Sequence, residues 1–344
     1  MSEKKRINLA LQGGGAHGAF TWGALDRILA DDRLEIASIS GTSAGALNGA
    51  AVKSGLVQGG PDRARENLER LWDKVAGAQT PHMAQWLAPW GPAAVAQTIE
   101  TSWPYMISEF WGRMTSPYAY GPFYQNPLRD IVEGFDFDCV CADEGPAFFV
   151  SATRVRNGKL RVFSGSDLCG DAILASACLP TLFKAVEMFD TETDQVEAFW
   201  DGGYTGNPAL FPMFGRSFPP DIVIININPL ERDSLPTTPQ QIQNRINEIG
   251  FNSSLLRELR AINFVQRLLD DGTMDAGRMA RVHVHMIADD ALMNDLSVAT
   301  KVVPNAYIIS TLKKAGEEAA DQFLATHFDM IGKDSSVDLR DMFV

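Results

Sequence analysis

The chain alternates short, densely apolar runs with amphipathic stretches. Ile7 to Leu11 reads as a buried strand, cut off by Gly13-Gly14-Gly15-Ala16-His17-Gly18. From Ala19 to Asp31 apolar residues fall at helical spacing, with Phe20, Ala24, Leu25 and Ile28 on one face. Ile36 to Ser40 predicts a second strand. It ends in Gly41-Thr42-Ser43-Ala44-Gly45, and the small-residue run from Ala44 to Ser54 predicts a helix. Strand–turn–helix twice in succession is the signature of an α/β sheet.

The pattern resumes downstream. Phe148 to Val155 and Leu160 to Ser164 predict a hairpin around Asn157-Gly158. Asp171 to Ala177 predicts a short helix. Strands are expected at Glu197–Trp200, Ile222–Asn228 and Val282–Ala288, and helices over Gln240–Asp270 and Ala306–His327. Residues 59–135 break the rhythm. They hold Trp72, Trp86, Trp90, Trp103 and Trp111, with Tyr105, Tyr118, Tyr120, Phe123 and Tyr124, among repeated prolines. We expect one catalytic domain over residues 1–344, with 59–135 an inserted helical, aromatic-rich lid and 240–344 a mainly helical part packed on the core. The aromatic rings suit a lid and acyl pocket in transient contact with a membrane surface, or a small core of the insertion's own. The helix over Gln240–Asp270 suits packing or a homodimer seam better than a membrane anchor, because it has no polybasic face.

The net charge of −13 argues against nucleic acid and against electrostatic docking on anionic lipid. Cys139, Cys141, Cys169 and Cys178 include no Cys-x-x-Cys and read as small thiols in a reducing compartment, with no metal and no cofactor expected. Ile7 to Leu11 is too short for a signal-peptide core, and no apolar run approaches the ~20 residues of a membrane span. A cytoplasmic location is the expectation.

Gly41-Thr42-Ser43-Ala44-Gly45 is a Gly-x-Ser-x-Gly between a strand and a small-residue helix, as a nucleophile elbow requires. Gly41 and Gly45 supply the small flanks, and the helix points its positive end at Ser43. The plain alternative is a βα turn with a Ser N-cap. Gly13, Gly15 and Gly18 also spell Gly-x-Gly-x-x-Gly, a dinucleotide fingerprint. That use needs a carboxylate at the end of the second strand, where this chain has Ser43; Glu35 lies at the wrong end. The glycine loop serves better as an oxyanion hole, its N–H groups aimed at the neighbouring serine. For the base there are two candidates. His283 and His285 share a strand face, and Ser43…Asp201…His283 follows a hydrolase triad order. Asp201, in Trp200-Asp201-Gly202-Gly203, sits at a strand end beside two glycines, and burial would raise its pKa from ~3.9 into a useful range.

Leu11-Gln12-Gly13-Gly14-Gly15-Ala16-His17-Gly18, Gly41-Thr42-Ser43-Ala44-Gly45 and Asp201-Gly202-Gly203 resemble, in order, the three motifs of the patatin-like phospholipases. Ala175-Ser176-Ala177-Cys178-Leu179-Pro180 is similar to that family's Ala-Ser-x-x-x-Pro segment. The resemblance implies a three-layer α/β/α sandwich with a mostly parallel sheet. It implies a Ser43–Asp201 dyad without histidine, oxyanion donors at Gly13, Gly14 and Gly15, no metal, and hydrolysis of lipid acyl esters. Many members carry Arg or Lys where this chain has His17, which offers a phosphate a cation only when protonated. A neutral-lipid lipase, thioesterase or polyester depolymerase uses the same chemistry. A non-catalytic lipid- or nucleotide-binding module is the alternative from another class.

Overall fold

A computed structural model describes residues 4–77, 90–100, 102, 116–232, 235–274, 279–297 and 299–343. The sheet begins with β1 (Lys5–Leu11) and β2 (Leu34–Gly41), each followed by a helix: α1 (Gly18–Ala30) and α2 (Ala44–Gly59). Next come α3 (Pro61–Ala76), α4 (Gly91–Glu100), β3 (Ala147–Arg154), β4 (Leu160–Ser164) and α5 (Gly170–Ser176). β5 (Val186–Asp190), β6 (Gln195–Asp201), β7 (Asp221–Ile225) and α6 (Pro239–Asp270) follow. β8 (His283–Ile287), the short α7 (Ala299–Val302) and α8 (Ala306–His327) complete the fold.

β3, β2, β1, β7 and β8 run parallel, and β4, β5 and β6 are antiparallel additions. Side chains alternate across each strand, and the two faces feed two cores. Ile7, Leu9, Leu11, Val223 and Ile225 pack in one core with α1, α2, α3 and α8. Ala10, Ile222, Ile224 and Val284 pack in the other against Leu255, Leu259 and Ile262 of α6. The expected three-layer α/β/α architecture is therefore present. α2 is buried from Ala44 to Gly55, which is why its sequence carries small residues in place of an amphipathic stripe.

The register brings two strand ends together. β2 pairs with β3 up to Gly41↔Val150, and β6 pairs with β3 down to Asp201↔Ala152. β4 pairs with β3 over Phe149–Thr153, overlapping both. A strand has two edges, so β2 and β6 share the edge that β4 leaves. They meet end to end, β2 running up into Ser43 and β6 running down into Asp201.

One expectation changes. Of the aromatic region, Pro61–Ala76 is a helix of the main layer. Trp72 is buried, stacks on Trp22 with ring centroids 6.3 Å apart, and donates from Nε1 to Asn48 Oδ1 at 2.9 Å. Trp86, Trp103, Tyr105 and Trp111 lie outside the described residues. α6 divides in two: Leu255, Leu259 and Ile262 are buried, whereas Ile242, Ile246 and Ile249 are open to solvent. Among the described residues no helix is long and apolar enough to cross a membrane.

Placing Trp72 in the core predicts that Trp72→Ala lowers the unfolding free energy by about 3–5 kcal/mol, measured by urea titration. A lid residue would instead leave stability intact and change substrate dependence.

Candidate active site

Ser43 sits in the gap between β2 and α2 with φ 53° and ψ −120°. Positive φ in a residue with a side chain is strained, by roughly 1–3 kcal/mol, and such strain collects at functional turns. The packing leaves no other path. A Cβ on Gly45 would lie 2.1 Å from the Leu11 carbonyl oxygen, and one on Gly41 would lie 2.5 Å from that of Gly45. The elbow closes only with glycine on both flanks. It is tied on several sides: Thr42 Oγ1 donates to the Gly206 carbonyl at 2.7 Å, Ser40 Oγ to that of Ala209 at 2.6 Å, and the Ser43 N–H to Ser176 Oγ at 2.9 Å.

Asp201 comes from the other strand end. Its N–H donates to the Cys178 carbonyl at 2.8 Å, and its own carbonyl accepts from Thr153 Oγ1 at 2.8 Å. Its Oδ1 accepts from the Gly203 N–H at 2.7 Å. Oδ2 is buried with no hydrogen-bond partner, and the Ser43 hydroxyl bears on the Asp201 carboxyl. The side chain is inaccessible to water. Burial pushes the Asp201 carboxyl up to about 7, against the smaller opposing pull of the Gly203 N–H and the Ser43 hydroxyl. A carboxylate of that basicity is matched to proton transfer at neutral pH.

The glycine loop touches Ser43 directly: a Cβ on Gly13 would lie 2.8 Å from that of Ser43. The expectation for this loop needs one correction. The Gly13 N–H already donates to Asn207 Oδ1 at 2.6 Å, so it is not a free oxyanion donor. The Gly13 carbonyl accepts from Asn228 Nδ2 at 2.8 Å. Gly14 and Gly15 N–H have no hydrogen-bond partner among the described residues. His17 is buried, its Nε2 2.7 Å from Thr300 Oγ1, and burial with the nearby Lys301 charge holds its pKa well below the ordinary value. It is neutral and brings no cation to the loop.

The histidine alternative fails on geometry. His283 and His285 lie in β8, three strands across from β2. Both ring systems approach Asp221 Oδ1, at 3.3 and 3.0 Å, and His285 Nδ1 meets Ser336 Oγ at 3.1 Å. Asp221 opens β7, at the far end of the parallel strands from Ser43. The four cysteines are free thiols. Asn207 and Asn228 belong to no motif in the sequence, and only the fold brings them to Gly13. Ser176 was visible within its motif, but its contact with Ser43 was not.

A family model described as patatin-like phospholipase matches residues 9–213. A search of the curated proteins finds no significant match. Among solved structures, the chain aligns with VipD from Legionella pneumophila at 13% identity and a TM-score of 0.42, covering 94% of this chain and 67% of that one. It also aligns with the ExoU–SpcU complex from the type III secretion system of Pseudomonas aeruginosa at 16% identity and a TM-score of 0.37. That alignment covers 94% of this chain and 52% of the other, so the chain spans about half the length of its counterpart there.

The raised Asp201 pKa has a stability consequence. The native state holds this proton up to about pH 7, while the unfolded carboxyl releases it near 3.9. The burial penalty is therefore absent at low pH and grows as pH rises from 4 to 7. Asp201→Asn should be more stable than wild type at pH 8, by on the order of 2–4 kcal/mol, and equal to it near pH 4. Chemical unfolding at the two pH values checks this; a pH-independent difference would contradict it.

Proposed function

The chain belongs to the patatin-like phospholipase family, and from that premise we propose that it works as a serine acyl hydrolase through a Ser43–Asp201 dyad. Membership makes it a lipid ester hydrolase; the dyad and the choice of substrate are our reading. The observation that carries it is the buried Asp201 carboxyl, one oxygen without a partner, beside a strained serine at a helix N-terminus whose hydroxyl acts on it.

In this reading Asp201 takes the Ser43 hydroxyl proton as the oxygen attacks the ester carbonyl carbon. The oxyanion is received by the Gly14 and Gly15 N–H groups, in the positive field at the start of α2. Protonated Asp201 then gives its proton to the departing alcohol oxygen, leaving the acyl group on Ser43. In the second half Asp201 takes a proton from water, whose oxygen attacks the acyl carbon; the proton returns to Ser43 as the fatty acid leaves. No histidine is needed.

A second reading concerns the substrate. His17 is neutral and buried, so the glycine loop supplies no charge from that position to a headgroup phosphate. This favours a site that selects for the acyl ester over the headgroup, and neutral lipids, thioesters or polyesters fit beside phospholipids. Trp90 and Tyr118, 63% and 57% exposed, support a lid or lipid-surface role for the described part of the aromatic region.

With p-nitrophenyl acyl esters, Ser43→Ala and Asp201→Asn should each lower kcat by about 10³-fold or more with the fold intact. His283→Ala and His285→Ala should retain most activity; a loss matching that of Ser43→Ala would revive the triad. Wild-type kcat/KM should be half-maximal near pH 7 and fall below it, as Asp201 becomes protonated. Rates on phospholipid, lysophospholipid, triglyceride and acyl-CoA of one chain length should be comparable. A strong phospholipid preference would contradict the acyl-directed reading.

A further inference from the structure

Behind the glycine loop lies a charged cluster that the dyad does not use. It comes from residues beyond position 213, outside the segment that the family model matches. Lys301, on α7, donates from Nζ to Asn228 Oδ1 at 2.9 Å. Its side chain is 13% exposed. Glu248 Oε1 lies 3.7 Å from the ammonium, but that carboxylate is shared with Arg232 at 2.7 Å and Arg245 at 3.3 Å. Three cations face one carboxylate, so the cluster is positive. Burial lowers the Lys301 pKa to about 8, which leaves it mostly charged at neutral pH.

The cluster reaches the loop through one amide. With Oδ1 of Asn228 turned to the Lys301 ammonium, Nδ2 must face the Gly13 carbonyl, where it donates at 2.8 Å. Gln12 Oε1 locks the same asparagine by accepting from its backbone N–H at 3.1 Å and from Nδ2 at 3.2 Å. A trans peptide is planar, with its C=O and the following N–H pointing in opposite directions. Pinning the Gly13 carbonyl therefore aims the Gly14 N–H the opposite way within the same plane. A positive charge at the carbonyl end of such a chain also polarises the N–H at its far end. The same segment abuts the loop sterically: a Cβ on Gly15 would lie 2.3 Å from the Lys301 carbonyl oxygen.

We propose that Lys301 is a positioning residue of the oxyanion loop: through the Asn228 amide its ammonium orients and polarises the Gly13–Gly14 peptide, supplying from the C-terminal part the positive charge that neutral His17 does not. The inference rests on the acyl-hydrolase reading above. It makes α7 a working part of the site and assigns a role to a residue that never meets substrate.

The test uses the full chain and p-nitrophenyl acyl esters, with Lys301→Met, Lys301→Arg and Asn228→Ala. Lys301→Met and Asn228→Ala should lower kcat by about 10- to 100-fold, short of the ~10²–10³ lost with a donor itself, with KM within about twofold of wild type. Lys301→Arg should recover most of the lost kcat. The rate of Ser43 phosphonylation by a fluorophosphonate should fall in parallel, since the phosphonyl oxygen needs the same donors. Wild-type kcat in folded Lys301→Met would overturn the proposal, as would a change carried by KM or a loss that Lys301→Arg does not reverse. Should Lys301→Met fail to fold, Asn228→Ala decides alone, wild-type kcat again overturning it. A wild-type protein inert to both ester and probe would bring down the acyl-hydrolase reading as well, whereas a reactive wild type with unaffected variants sinks only the role of Lys301.

Discussion

The site depends on two strands meeting head to head along one edge of β3. β2 climbs that edge to Gly41 and β6 descends it to Asp201, with β4 closing the opposite edge. Hydrogen-bond register sets heights along a strand to within a residue, because a slip of one residue would turn every side chain to the wrong face. Ser43 and Asp201, 158 positions apart in sequence, are therefore brought to one level by backbone pairing. The parallel strand supplies a helix whose positive end backs the serine. The antiparallel strand supplies a carboxylate backed only by a single short turn, Gly202–Tyr204, whose Gly203 N–H meets one of its oxygens. One mixed junction in a mostly parallel sheet produces the asymmetry that the proposed nucleophile and base require.

Keeping that junction closed is costly. Ser43 holds a strained backbone, and Asp201 is a carboxyl removed from water with one oxygen unsatisfied. Neither would persist in a loose loop. Both are over-determined by short contacts from separate elements: Ser176 from α5, Thr153 from β3, and the Gly206 and Ala209 carbonyls after β6. The energy stored in the buried carboxyl is what raises its basicity. In the proposed dyad the destabilising feature and the reactive one are the same atoms.

Much of this was legible in the sequence. The α/β rhythm, the elbow, the glycine loop and Asp201-Gly202-Gly203 could be read because their demands are local: small flanks, strand ends, periodic apolar runs. What escaped depends on distant partners. β5 is not legible in the sequence: its last residue, Asp190, is buried by charge pairing with Arg154 at 2.6 Å and Arg161 at 2.9 Å, which no hydrophobic pattern reveals. The aromatic neighbourhood of Trp72 in the sequence suits a lid, yet the helix carrying it packs into the main core. Asn207 consumes the Gly13 donor that the glycine motif alone left free. Lys301 stands 288 positions from Gly13 and reaches it through an asparagine.

The central claim is that Ser43 is a nucleophile activated by Asp201. Its most direct test is reaction with a fluorophosphonate at pH 8, with the adduct located by peptide mass spectrometry. The account predicts one adduct, on Ser43, in the wild-type protein, and labelling slowed by about 10²-fold or more in folded Asp201→Asn. An unlabelled Ser43, or a Ser43 labelled equally fast without the carboxylate, would contradict it.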